Sequence, residues 1–298
     1  MISGMSVKIR VPGKVFISGE YAALKGLPAL TVATKPEFEF TPDDQALAAF
    51  HPDSPAGLVN PFLRGRFHDP FKGVGGMGRS TAEFIAAAVQ SAKVGSNWDM
   101  WRAYREVVLQ VQNTPSGVDL LTQLAGGYCV TSTRAQSLEK AKWPFQYLDW
   151  VALVTGNKVK THEHLSRKLE LDWDLVGKLN QNITSCFLSA ENSGDEQKIG
   201  KEFAAALGEW RKFLFENQLE VPATTELVEL FLDVPGVVAA KGCGALGSDV
   251  VFVLFEKNIS QFLEKTLEYW NPAHIIRSSQ VQYEGLKVIN EIENVSAL

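Results

Sequence analysis

The stretch Lys72–Glu83, KGVGGMGRSTAE, constrains this chain more than any other. Four of its residues, Gly73, Gly75, Gly76 and Gly78, are glycines, which let the backbone take positive φ and approach a ligand without a Cβ in the way. Directly after them Ser80-Thr81-Ala82 opens a run with Phe84, Ile85, Ala88 and Val89 that reads as a helix. The glycines therefore sit where backbone N–H groups lack intrahelical partners, which is a place for phosphate. No Gly-Lys-Ser/Thr follows them and the spacing is not GxGxxG, so neither the Walker A loop nor the dinucleotide fingerprint applies. Taken alone, the stretch reads equally well as a flexible loop entering a core helix.

Composition narrows the partners. With 298 residues, 45% of them hydrophobic and 21% charged, the chain is long enough for two packed domains and unsuited to extended disorder. A formal net charge of −5 and no local Lys/Arg cluster argue against nucleic acid. No apolar run approaches a membrane span and no leader pattern precedes the first strand, so a cytoplasmic location is expected. Cys129, Cys186 and Cys243 are far apart and in no metal-ligand spacing, and are expected to be reduced and buried. His162 and His164 are two apart and do not match a helical ligand pair, so no histidine metal site is assigned.

In chain order, Val7–Arg10 and Lys14–Ser18 read as strands around a turn at Pro12-Gly13, and Ala29–Ala33 and Glu37–Thr41 as two more around Lys35-Pro36. Residues 42–71, with prolines at 42, 52, 55, 61 and 70, read as a long connection. Helices are expected over Ser80–Ala92 and Trp98–Gln112, with a short one after Ser116, then strands Tyr128–Ser132 and Leu148–Thr155. A boundary is expected near Gly156-Asn157, dividing the chain into 1–156 and 157–298. Beyond it helices are expected at His162–Lys168, Trp173–Ala190, Gln197–Asn217, Thr224–Phe231 and Ser260–Tyr269, with strands Val237–Ala240, Val250–Phe255 and Val281–Val288.

Three further blocks can carry chemistry. Lys14 follows a turn and is followed by Gly19-Glu20-Tyr21; Asp119 closes the turn Pro115-Ser116-Gly117-Val118-Asp119; and Lys241-Gly242-Cys243-Gly244-Ala245-Leu246-Gly247-Ser248-Asp249 lies between apolar strands. Singly, these read as a surface lysine, a first-turn helix acid favoured by the helix dipole, and a tight strand connection.

Together, PGKVFISGEYAALKGLPAL, GMGRSTA, PSGVD with a following GG, and KGCGALGSD resemble, in order and spacing, the signature blocks of the galactokinase, homoserine kinase, mevalonate kinase and phosphomevalonate kinase (GHMP) superfamily. The resemblance spans roughly Val11 to Phe255. It implies an α+β, two-domain fold, with an N-terminal α/β domain of the ribosomal-protein-S5 type, a C-terminal ferredoxin-like domain and a cleft between them. It also implies transfer of the γ-phosphate of ATP, with Mg2+, to the hydroxyl of a small molecule. On matching positions, Gly75, Gly76, Met77, Gly78, Arg79, Ser80 and Thr81 would meet the nucleotide phosphates, with Ser80 as a magnesium ligand. Asp119 would take or orient the acceptor's proton, and Lys14 would favour its ionised form and the developing alkoxide. Glu20, Tyr21, Ser116 and Gly244 are candidate acceptor-binding residues.

Three departures accompany the resemblance. Arg79 stands where the family commonly has serine. The position of the magnesium-binding glutamate of mevalonate kinases is Val108 here, which leaves Glu106 as the nearby acid. The connection before the glycine loop is dissimilar. Gly-Glu-Tyr-Ala-Ala-Leu resembles the mevalonate-pathway members; Tyr21 favours phosphomevalonate kinases, whereas PSGVD and the short chain favour mevalonate kinases. These cues conflict; a phosphorylated acceptor calls for extra Lys or Arg in the cleft, and Arg64, Arg66, Lys72 and Arg79 are the only such group near the loop in sequence, so mevalonate is the expected acceptor and phosphomevalonate the alternative. A nucleotide-binding sensor or scaffold without transfer is a reading of another class, and a homodimer is a candidate assembly.

Overall fold

The structure, a computed structural model, describes residues 7–48, 50–91, 95–110, 115–156, 170–191, 193–270 and 272–290. The expected helix His162–Lys168, and with it His162 and His164, lies outside the described residues.

Strand β1 (Val7–Ser18) pairs with β2 (Ala29–Thr41) and extends the expected pairs of short strands into two long ones. Pro12 has no N–H for a ladder and would end a regular strand. Here the pairing continues through a bulge: Pro12 faces Glu37 and the next residue, Gly13, faces Thr34, so Lys35 and Pro36 are left over. The bulge re-aims the strand at the point where Lys14 follows. The 42–71 connection contains a short helix α1 (Pro55–Val59), started by Ser54 whose side chain accepts from the Gly57 N–H at 3.1 Å, and a strand β3 (Arg66–His68) on β2. Both are shorter than the window in which periodicity can be read.

Helices α2 (Arg79–Gln90), α3 (Asn97–Leu109) and α4 (Val118–Ala125) follow, then β4 (Tyr128–Ser132), β5 (Ser137–Ala141) and β6 (Leu148–Val154). The sequence reading missed β5 because SLEKA is an exposed edge with little apolar alternation. Every residue of α2 from Thr81 to Val89 is buried, so this helix is central to the core rather than lying on it.

The remaining elements are α5 (Trp173–Ala190), α6 (Glu196–Glu216), α7 (Pro222–Leu232), β7 (Val237–Cys243), β8 (Val250–Glu256), α8 (Ser260–Trp270), β9 (His274–Arg277) and β10 (Lys287–Asn290). The strand expected over Val281–Val288 begins only at Lys287. Before it the chain crosses the first sheet, with the Gln282 N–H on the Ala33 carbonyl and the Gly127 N–H on the Gln282 carbonyl.

Two antiparallel sheets result, ordered β10-β1-β2-β4-β5 with β3 on β2, and β7-β8-β6-β9. Their membership crosses residue 156 in both directions, since β6 belongs to the second sheet and β10 to the first. The largest cluster of buried apolar residues runs from Ile9 to Val281 and includes side chains of both sheets, such as Val32 and Phe252, while a second cluster, with Val151, Val253 and Phe231, lies on the other face of the second sheet.

Candidate active site

Lys14 and Asp119, 105 positions apart in sequence, form an ion pair with Nζ–Oδ2 3.1 Å. Lys14 reaches it from β1 immediately after the bulge. Its side chain is 7% exposed, and its Nζ also lies 4.7 Å from the Phe16 ring centroid. Asp119 is the first-turn acid of α4, where the unpaired N–H groups favour its charge, and it keeps 30% exposure, enough to meet a solute. Gly117 begins α4 at φ 71°; a Cβ there would stand 2.5 Å from Trp101 Cδ1. Trp101 packs there because its Nε1 donates to the Ser116 carbonyl at 2.9 Å. Ser116 thus shapes the turn through its carbonyl, and its Oγ accepts from the Val118 N–H at 3.4 Å. Burial, with the Asp119 charge added, holds the Tyr104 phenol well above its ordinary pKa.

The glycine loop lies against this pair. The Lys14 N–H donates to the Met77 carbonyl at 3.1 Å, so the strand that carries the lysine is bonded to the loop. Gly75 is half-buried and Met77 is buried. Gly76 and Gly78 have φ of 83° and 85°, which only glycine adopts freely. A Cβ on Gly76 would stand 2.6 Å from that of Asp249, and one on Gly78 would stand 3.0 Å from Lys14 Cγ. The loop therefore touches the second sheet on one side and the ion pair on the other. Thr81 faces inward, its Oγ1 lying 2.9 Å from the Gly78 carbonyl oxygen, while Ser80 is exposed on the first turn of α2.

Arg79 is committed to carboxylates. Its Nε donates to Glu83 Oε1 at 2.8 Å and its Nη1 lies 3.4 Å from Asp69 Oδ2. Asp69 in turn accepts from the Phe71 and Gly73 N–H groups at 2.8 and 2.7 Å, so the arginine clips the entry of the glycine loop to α2. Glu106 is exposed on α3. Among the described residues no group of three or more His, Cys, Asp or Glu is placed to hold a metal ion. The Ser80 hydroxyl, exposed on the first turn of α2, is an oxygen of the type that magnesium takes.

Glu20 and Tyr21 turn inward and join the two sheets. Glu20 forms a close ion pair with Lys241 of β7 and accepts from Trp210 Nε1 of α6 at 3.1 Å. The Tyr21 hydroxyl accepts from the Leu246 N–H at 2.9 Å, and burial pushes its pKa up. Burial opposes the charge on Lys241, but Cys243 and Glu20 beside it reverse that and hold its pKa above the ordinary lysine value. Gly244, at φ 88°, leaves room for Asp249, whose Oδ2 would stand 2.6 Å from a Cβ there. The four sequence blocks thus converge on one place. Sequence reasoning did not single out Lys241, Trp210, Asp249 or Gln123. Lys241 and Asp249 lay at the ends of a recognised block, and Gln123 stands one helical turn after Asp119, a spacing that puts both on one face.

No protein-family model matches the sequence, and no curated protein matches it significantly. Solved structures do resemble it. The phosphomevalonate kinase of Streptococcus pneumoniae, in complex with phosphomevalonate and AMPPNP, is 16% identical with TM-score 0.70, covering 91% of this chain and 99% of its own. The mevalonate kinase of Methanococcus jannaschii is 15% identical with TM-score 0.65, covering 92% and 98%. The homoserine kinase of Cytophaga hutchinsonii is 13% identical with TM-score 0.61, covering 97% and 99%.

Proposed function

We propose that this chain, whose fold is that of the GHMP kinases, transfers the γ-phosphate of ATP to the hydroxyl of a small alcohol, with mevalonate as the acceptor. The observation that carries this reading is the Lys14–Asp119 pair bonded to the glycine loop through the Lys14 N–H. Asp119, paired with Lys14 and partly exposed, accepts the proton of the acceptor hydroxyl. Lys14 holds the carboxylate in place and offsets charge on the oxygen that attacks. The positive-φ glycines bring backbone N–H groups, with no side chains in the way, to the β- and γ-phosphates at the start of α2. Magnesium bound with the nucleotide would meet the Ser80 hydroxyl and neutralise phosphoryl charge. Transfer then demands little covalent work from the protein beyond alignment and charge neutralisation.

An acceptor without a phosphate is favoured because Arg79, beside the loop, already serves Glu83 and Asp69, whereas a second phosphate calls for a cation of its own. Release of ADP, measured over mevalonate, phosphomevalonate and homoserine with and without magnesium, tests the reading. Mevalonate is expected to give the highest kcat/KM; a higher value on phosphomevalonate reverses the choice of acceptor, and nucleotide binding with no release on any alcohol supports a sensor instead. Asp119→Asn is expected to lower kcat by roughly 10²–10⁴ while nucleotide affinity stays within about 3-fold, the behaviour of a general base. Turnover near wild type in that variant rejects Asp119 as the base.

A further inference from the structure

One buried amide reaches every part of the site. Gln123 is fully buried and stands one turn after Asp119 on α4. Its Nε2 donates to the Pro12 carbonyl at 2.8 Å and to the Gly78 carbonyl at 3.0 Å, and its Oε1 accepts from Thr81 Oγ1. Both amide N–H groups and the amide carbonyl are therefore used. Their partners are the bulge two residues before Lys14, the last residue of the glycine loop, and the first turn of α2, while the helix that carries Gln123 also carries Asp119. Leu120, Leu121 and Ala125 around it on α4 are apolar and buried, so the site could be packed without an amide. A buried amide costs free energy unless all its bonds are made, and this one can make them at a single relative placement of strand, loop and helix. Gly78 is fitted to it, since a Cβ there would stand 2.7 Å from Nε2.

We propose that Gln123 is a positioning residue that sets the distance between the glycine loop and the Lys14–Asp119 pair. The inference rests on the kinase reading for its effect on turnover, and on the hydrogen bonds alone for its effect on the loop. The isostere Gln123→Leu keeps volume and removes all three bonds. Hydrogen exchange of the full chain is expected to speed up by about 10-fold or more at the Lys14 and Ala82 amides, which donate to the Met77 and Gly78 carbonyls of the loop, while the β8 amides remain protected. In steady-state kinetics kcat is expected to fall about 10–100-fold with both KM values within about 3-fold, because misplacement acts on the transition state rather than on binding. Unchanged exchange at Lys14, or kcat within about 3-fold of wild type, overturns the proposal, as does a loss confined to KM. If Gln123→Leu does not fold, Thr81→Val removes one of the bonds and is expected to give the same pattern at about 3–10-fold in kcat; no change in exchange or kcat overturns it likewise. A wild-type chain that releases no ADP rejects the proposed activity, and the exchange measurement still decides whether Gln123 holds the loop.

Discussion

Replacing Lys241 by methionine tests whether the Glu20–Lys241 pair rivets the two sheets. Lys241 is 1% exposed and the Glu20 side chain 5%, so the carboxylate cannot turn to water when its partner is removed. It would keep the Trp210 Nε1–H bond at 3.1 Å, and methionine would fill the volume of the lysine stem, so no cavity adds to the cost. What is lost is the partner of a buried charge, for which about 3–5 kcal/mol is expected. At an m-value of about 3 kcal/mol/M this lowers the urea midpoint by about 1–2 M. Trp210 lies in the pair, so tryptophan fluorescence reads the transition directly. The double variant Glu20→Gln, Lys241→Met removes the charge together with its partner and leaves an acceptor for Trp210. It is expected within about 1–2 kcal/mol of wild type, because well-packed neutral replacements of buried pairs are often close to neutral. A shift below about 0.3 M for the single variant, or a double variant as unstable as the single one, refutes the argument.

Gly78→Val places a β-branched side chain at φ 85° and against Gln123 and Lys14; it is expected to weaken ATP binding more than acceptor binding, and equal weakening in titrations of both would assign the glycine to packing instead. Burial pushes the Cys129 thiol up to about 12 and, with Glu20 adding to it, the Cys243 thiol up to about 11, so neither is expected to react with iodoacetamide at pH 8 in the folded chain, while both react in urea. The sign for stability follows: both thiols are protonated in the folded and unfolded chain below about pH 8.5, and their contribution is lost as pH rises from there through about 11 and then 12, which unfolding midpoints measured against pH would record.

Local order along the chain was legible from residues alone. The glycines before α2, the apolar stripes of α5 to α7 and the β4 strand carry their cause within a few positions, so the expected spans agree with the observed ones to within one or two residues at most ends. The recognised blocks, through their resemblance, indicated the GHMP-kinase fold and proposed Lys14 and Asp119 as a pair, and the structure places their charged atoms in contact. Only the tertiary structure decided what depends on partners distant in sequence. Pro12 reads as a turn until β2 is seen to pair on both sides of it. Nothing near Glu20 and Tyr21 in sequence names their partners; Lys241, Trp210 and Leu246 reach their polar atoms only in the fold. The contact of Arg79 with Asp69, across the glycine loop, is likewise set by the fold. Gln123 carries no motif at all, because the groups that give it meaning, the Pro12 and Gly78 carbonyls, are backbone atoms, identical in every residue and distinguished only by where the fold puts them.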